Sequence, residues 1–378
     1  MLKTETVRLA DWYKGISELG KQLDPTNIEI LSAMRKFGPR NLLEVSRRTG
    51  LPFTTVYHRV AKLESKSRRI AFLIPKISRL GMIEVAILAT AKPGLEQQVT
   101  TALKLPNFWW SINTCEGAFT HHSVQAIPFK FLKDFKKYVK RISEKRLITH
   151  LRMIPTGDYI PNFPDFKYYH PVTKQWKFEW DKWLGRLRRS PSETIEDPAG
   201  YPSQGDKKDL LIVKELEKDA RRSFADLAPM LEMTLQGVKY HYDKRLTANG
   251  IVQHFAFDIV PYPIEVSAYH EAMLEFASAA DMNRFFSAIG ELFFVRGVAK
   301  VLKQNALLVR TYILQSQLSN MFAFFSEIAN AGMLKSYSSV RLDFAGRQVQ
   351  TISYELFDEK KGWTFDLNKC LSELSKLR

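Results

Sequence analysis

The sequence predicts an α+β protein made twice over: two tandem copies of a winged helix-turn-helix unit, each followed by a ferredoxin-like βαββαβ sandwich. Three observations carry this. Residues 23–60 and 205–242 overlay without a gap at an offset of 182, and self-similarity at a fixed offset marks a duplicated architecture. Each copy is followed by segments whose apolar residues alternate between strand and helix periods, the pattern of a sheet layered with helices. The tripeptide Ile83-Glu84-Val85 recurs as Ile264-Glu265-Val266 at an offset of 181, so the register survives into the second sandwich.

In the first copy Ile28, Leu31 and Met34 share one face of an opening helix, which Pro39 interrupts. A second helix from Asn41 presents Leu42, Val45 and Ser46 and closes at Gly50, a residue suited to a left-handed cap. A third runs from Pro52 with Val56, Val60 and Leu63 inward, which leaves Thr54, Thr55, His58, Arg59 and Lys62 outward. Downstream, residues 83–90 read as a strand, Pro93-Gly94 turns the chain into a helix over 95–103, and apolar runs at 108–114 and 121–127 flank a turn at Gly117. A basic amphipathic helix at 131–142, with Phe131, Phe135, Tyr138 and Ile142 on one face, precedes a strand at 149–155. Glu84 and Glu265 each sit between inward apolar neighbours, so alternation expects both to face outward. Asp281, Glu291 and Asp343 are expected at solvated positions.

Residues 159–204 are rich in proline and aromatics and carry Trp176, Trp180 and Trp183 along one helix face, as expected of a strap packed on a sandwich. Stacking of these rings on unpaired bases is the competing use and needs an open groove. Arg186, Arg188 and Arg189, then Ser-Pro-Ser, lead into a linker within reach of phosphates. The second copy places Leu210, Val213, Leu216, Leu227, Val238, Tyr242 and Leu246 inside, and Gln236, Lys239, Tyr240, His241, Lys244 and Arg245 outside, with Gly237 in mid-helix. Strands at 266–275, 292–302, 306–314 and 338–344, with helices at 282–289 and 318–331, rebuild the sandwich. The expected boundaries are an N-terminal arm with the first helical unit (1–75), a first sandwich (76–160), the strap and linker (161–204), a second helical unit (205–260), a second sandwich (261–357) and a C-terminal tail (358–378).

Composition bounds the function. An apolar share of 45% with 12% aromatics supports several packed cores, and no apolar run reaches the roughly 18 residues of a membrane helix. With no secretory leader in MLKTETVRLADWYKG, the chain is expected in the cytoplasm. Two cysteines, Cys115 and Cys370, make neither a disulfide framework nor a zinc site. The formal charge of +16 points to nucleic acid. It gathers at Arg35, Lys36, Arg40, Arg47, Arg48, Arg59, Lys62, Lys66, Arg68 and Arg69, and again at Arg221, Arg222, Lys239, Lys244 and Arg245.

The stretch 23–64 resembles the DNA-binding domain of the Lrp/AsnC (feast/famine) family. The matching residues are Leu23-Asp24, Ile30-Leu31, Ser46-Arg47-Arg48-Thr49-Gly50-Leu51 at the turn, and Thr54, Val56, Arg59-Val60 and Leu63-Glu64 on the third helix; Ile70 and Leu80-Gly81 stand where the family has its hinge and first sheet strand. In outline the resemblance covers nearly the whole chain twice, since the family's effector domain is itself a βαββαβ sandwich. It implies a transcription regulator that reads double-stranded DNA. Thr54, Thr55, His58 and Arg59, and Gln236, Lys239, Tyr240 and His241, would lie at the major groove, and Lys62, Lys66, Arg68, Arg69, Lys244 and Arg245 at phosphates. A homodimer through the sandwiches is expected, since Phe293, Phe294, Phe322, Phe324 and Phe325 exceed what one small core requires. The family also leaves room for a small-molecule effector. This reading needs no catalytic residue, cofactor or metal, so no enzymatic activity is expected. The alternative is a siroheme decarboxylase-like enzyme, because some double-length proteins resembling the family are such enzymes, with the sandwich pair turned into a tetrapyrrole pocket. Sheet histidines and arginines would then meet substrate carboxylates, one of the adjacent pair His121 and His122 among them. A weakly specific architectural DNA binder is a third reading.

Overall fold

The computed structural model describes residues 6–8, 19–66, 69–187 and 193–377. Arg68, Arg188 and Arg189 lie outside the described residues, as do the side chains of Lys66 and Arg186. Mixed α and β structure is found throughout. After β1 (Thr6–Arg8) comes a helical trio: α1 (Pro25–Phe37), α2 (Leu42–Thr49) and α3 (Phe53–Lys66). Asp24 caps α1 by accepting from the Asn27 amide, Asn41 caps α2 through the Glu44 amide, and Gly50 ends α2 at φ 68°, in the left-handed region where glycine is unstrained. Then follow β2 (Ala71–Pro75), β3 (Met82–Ala91), α4 (Glu96–Lys104), β4 (Trp109–Glu116), β5 (His121–Pro128), α5 (Leu132–Glu144), β6 (Ile148–Thr156) and β7 (Ile160–Pro161). The strap folds as a small hairpin, β8 (Tyr169–His170) with β9 (Gln175–Trp176), and a helix, α6 (Trp180–Leu187), so Trp176 lies on a strand and does not share the helix face expected for it with Trp180 and Trp183.

The second trio is α7 (Lys207–Lys218), α8 (Phe224–Met230) and α9 (Leu235–Tyr240), the last running into a π-helical segment at His241–Thr247. After β10 (Val252–Phe257) the second sandwich runs β11 (Ser267–Phe276), α10 (Ala279–Ala288), β12 (Val295–Val301), β13 (Ala306–Leu314), α11 (Leu318–Asn330) and β14 (Leu334–Leu342). The chain ends in β15 (Gln348–Gln350), a hairpin of β16 (Phe357–Asp358) and β17 (Gly362–Trp363), and α12 (Leu367–Lys376). Among the described residues no helix is long and apolar enough to cross a membrane.

Strand alternation sends Ile83, Val85 and Ile87 to the helix side of β3 and Glu84, Ala86 and Leu88 to the other. That other face does not meet water. The two four-stranded sheets join at both edges, β6 to β12 through Thr156 and Val301, and β4 to β14 through Cys115 and Leu342. With β4 also paired to β5, the eight strands form a closed ring in the order β4-β14-β11-β13-β12-β6-β3-β5. Helices pack outside it. Glu84 is therefore buried inside a barrel at 4% exposure, whereas Glu265 sits exposed in a 3-10 turn ahead of β11. The repeated tripeptide is thus a strand in one half and a turn in the other.

The halves also exchange parts. One apolar core joins the first trio and the strap to the second sandwich, and the other joins the second trio and the C-terminal tail to the first sandwich. Trp176 stacks on Phe293 with centroids 4.7 Å apart, and Trp183 meets Phe324 edge-on at 4.7 Å. Of the phenylalanines that suggested a dimer, Phe322 and Phe325 meet His270 and Tyr337 of their own sandwich, while Phe293, Phe294 and Phe324 pack on the strap within the chain. The tail does the same on the other side, with Trp363 Nε1 donating to the Leu80 carbonyl at 2.7 Å. Hairpin and helix recur in both, so the tail is the second copy of the strap.

The trios face each other across the paired strands β2 and β10. Arg40 donates to the carbonyls of Ala220 (2.7 Å) and Arg222 (2.8 Å), and Arg221 donates to the carbonyl of Pro39 (2.6 Å) and pairs with Glu64. Contacts between positions 182 apart, 40 with 222 and 39 with 221, place equivalent points of the two copies against each other, as at a pseudo-two-fold axis. Arg40, Arg221 and Arg222, counted above with the DNA-facing charge, form this clasp instead; Arg222 also pairs with buried Glu215.

Candidate active site at one end of the barrel

A cavity of about 240 Å³ lies where the barrel meets the trios. The barrel contributes Glu84, Ser111, Val124, Tyr269 and Arg310, all on inward strand positions. The opposite side comes from β2, β10 and the end of α7, with Arg69, Phe72, Glu217 and Asp258. Arg296, Arg347 and Tyr159 complete a wall with an excess of arginine. Position 297 is glycine because a Cβ there would collide with the Tyr159 hydroxyl.

The electrostatics divide the carboxyls into two kinds. Glu271 accepts from Arg310 Nη2 at 2.6 Å and Nε at 3.0 Å, and its other oxygen lies 2.6 Å from His122 Nε2. Burial alone would raise its pKa, but His122 and Arg310 overcome that and hold it well below the usual range. Among the described residues Glu84 has no such partner; burial pushes it up to about 8, with Arg310 opposing and Glu271 and Asp158 adding. Glu217 is likewise pushed up to about 8 by burial, against the Ile352 amide that donates to it at 2.7 Å and the charges of Arg69 and Lys218. At neutral pH the cavity therefore holds two neutral carboxylic acids beside fixed cations. The Arg310 guanidinium also sits 5.1 Å from the Tyr159 ring centroid.

The residues expected to read DNA fall into two groups. Thr54, His58, Lys62, Gln236, Lys239, Tyr240 and Lys244 are exposed, and Thr55 is half-buried. The others are taken up internally. Arg59 pairs with Asp24 at 2.7 Å. His241 lies 2.7 Å from buried Asp209, and Arg245 binds both Asp209 (2.8 Å) and Asp206 (2.7 Å). Arg69 does not reach outward to a phosphate: at 8% exposure it donates to Asp258 at 2.6 Å and to the carbonyls of Glu217 and Lys218, with its plane 3.9 Å from the Phe72 ring centroid. Gly237 is in the first turn of α9, not mid-helix, and its amide is capped by Thr234 Oγ1 at 3.0 Å.

Of the two sheet histidines, His121 points to the helix side and lies 3.0 Å from Thr100 Oγ1, while His122 points inward to Glu271. Sequence reasoning missed Glu271 and Arg310; the arginine within the mostly apolar run 306–314 was a usable signal, whereas Glu271 shares its strand with His270 and Glu275 and does not stand out. Arg296, Arg347, Tyr159 and Glu217 carried none, since nothing local separates them from surface residues.

No family model and no curated protein sequence matches the chain. Among solved structures the siroheme decarboxylase NirDL aligns over 92% of this chain and 98% of its own, with a TM-score of 0.52 at 13% identity. Its co-complex with an iron-uroporphyrin III analogue aligns over 92% and 99%, also at 0.52 and 13%. This chain shares that enzyme's fold. A regulator of the AsnC family from Pyrococcus furiosus covers only 35% of the chain and 88% of its own, at 19% identity and a TM-score of 0.29, too low to add to the argument. The expectation that no enzymatic chemistry is needed is overturned at this point, because the fold matched over the full length is that of an enzyme.

Proposed function

We propose that the chain is a decarboxylase acting on a carboxylate-bearing tetrapyrrole, one edge of which enters the barrel-end cavity. The observation that carries this is Glu84, a neutral carboxylic acid facing an arginine-walled cavity. The fold shared with NirDL supports the substrate class. In this reading arginines hold substrate carboxylates as ions, and Arg310 is kept in place by Glu271. When CO2 leaves, the electron pair of the broken C–C bond stays on the carbon beside the pyrrole ring, where the macrocycle delocalises it. Glu84 delivers the proton that ends this charge, and solvent reprotonates Glu84. The role assigned to Glu84 requires its acid form, so CO2 release falls as pH rises through about 8.

The test is incubation of the purified chain with siroheme and with iron-uroporphyrin III. A shift of the visible spectrum on mixing and loss of CO2 by mass spectrometry are expected; neither occurring for either compound overturns the reading.

A second reading keeps double-stranded DNA as a partner, each trio with its following strand acting as a winged helix-turn-helix. It is favoured by the exposure of Thr54, His58, Lys62, Gln236, Lys239 and Lys244. Replacing Lys62, Lys239 and Lys244 by Gln should lower the salt slope of binding by about one unit per lost phosphate contact; an unchanged slope rejects these helices as the contact surface.

A further inference from the structure

Among the described residues three buried polar atoms have no partner and belong to side chains that line one wall of the cavity: Trp110 Nε1, Arg347 Nε and Thr351 Oγ1. Their grouping follows from strand geometry. Arg347, Val349 and Thr351 are alternate residues at and beside β15, so they share a face, and all three line the cavity. Val349 pairs with Ser111 on β4, which brings the neighbouring Trp110 to the same wall.

Native interiors rarely leave such groups unmade, so each calls for an explanation, and beside a cavity a bound ligand supplies one. Thr351 is 9% exposed. The wall has two N–H donors and a hydroxyl. Among the described residues no carboxylate pairs with Arg347; its Nη1 donates to Tyr269 Oη at 2.6 Å. Arg69 and Arg310, by contrast, each hold a carboxylate of the chain itself. The neighbouring Gln350 amide is already spent on Asn107 O and Ser353 Oγ. Burial lowers the Arg347 pKa, with Tyr269 opposing, as expected for a cation short of a counter-ion.

We infer that Trp110, Arg347 and Thr351 form a carboxylate-binding subsite, which holds a carboxylate of the substrate that does not react while another lies at Glu84. The choice of a tetrapyrrole rests on the proposed function; the subsite itself requires only a polycarboxylate.

Two measurements test it. In the first, Arg347→Gln should weaken iron-uroporphyrin III binding by more than about 10-fold, and Trp110→Phe and Thr351→Val by about 3- to 10-fold each. With turnover, these variants raise KM and leave kcat within about 3-fold, since a contact made equally in ground and transition states carries no rate. Thr351→Val keeps the side-chain shape and serves where the larger changes disturb folding. In the second, benzenehexacarboxylate is titrated into the wild-type chain while the indole N–H resonance of Trp110, assigned by its loss in Trp110→Phe, is followed. It should move, and should stay still in Arg347→Gln. A response to benzenehexacarboxylate without porphyrin binding rejects the tetrapyrrole and keeps the subsite. An immobile resonance, or porphyrin affinity unchanged in all three variants, overturns the subsite.

Discussion

The two halves of this chain place a buried glutamate on the barrel interior in opposite charge states. Glu271, from the second half, lies between His122 of the first half and Arg310, and stays ionised. Glu84, from the first half, has burial without a bonded cation and is neutral up to about pH 8. Both occupy strand positions that face the same interior, so the identity and position of the residue do not set the charge. The partner does, and for Glu271 half of that partnership comes from the other copy. The interior thereby holds one fixed anion, which orients an arginine, and one neutral acid, to which the proposed function gives the proton-donor role.

The comparison breaks most visibly at the ionised member. Glu271→Ala leaves Arg310 and His122 buried without their anion and should cost about 3–5 kcal/mol by chemical denaturation; a cost under about 1 kcal/mol would show that the pair is not what stabilises the interior.

Opposite pH slopes form the next test. The Glu84 pKa is raised in the folded state from 4.5 to about 8, so its contribution to stability is full below 4.5 and is lost as pH rises through about 8. The Glu271 pKa is lowered, so its contribution is present above 4.5 and is lost only as pH falls towards its folded value. Glu84→Gln should therefore gain stability, on the order of 4 kcal/mol at pH 8, and flatten part of the alkaline decline. Glu217 retains the rest. An alkaline limb identical in Glu84→Gln and wild type would mean that Glu84 is ionised in the fold.

The same variant sharpens the functional side. If Glu84 delivers the proton, Glu84→Gln lowers CO2 release by about 100-fold or more while the spectrum of bound porphyrin persists. Retained turnover assigns the proton to another group.

The smallest effect separates the two trios. α3 of the first is a regular 14-residue helix, whereas α9 of the second has six residues and continues as a π-helix. A Cβ at position 237 would lie 3.1 Å from Thr234 Oγ1, the atom that caps α9. Gly237→Ala should therefore not yield the roughly 1 kcal/mol of helix propensity; a thermal melt unchanged or slightly lower is expected, and a clear rise would put the cap contact in error.

Much of this was legible in the chain. Apolar spacing located the helices around Leu31, Val45 and Val60, and alternation put Glu84 on the face opposite Ile83 and Val85. Local patterns reach that far because a few residues fix a helix face or the side of a strand. They do not say what covers the face. Solvent was the expectation for Glu84, and a second sheet is what lies there, closed onto the first at Thr156–Val301 and Cys115–Leu342. The strap was read as packing on a sandwich, but not on which one, and its second copy in the tail went unseen because the paired aromatics Tyr169 and Trp176 recur as Phe357 and Trp363 one residue closer together, which shifts the register. Arg69 looked like the basic exit of a DNA reader; its partner Asp258 is 189 residues away.

By itself, then, the sequence determined the repeated three-helix pattern, most helices and strands of the two sandwiches and the face that many side chains take, all set by interactions within a few residues. The tertiary structure alone decided which faces meet. It set the exchange of strap and tail, the conversion of basic residues into internal clasps, and the cavity where Glu84, Arg310, Trp110, Arg347 and Thr351 converge from four separate stretches of chain. Those outcomes depend on burial and charge pairing between residues far apart in sequence, whose energies no local pattern encodes.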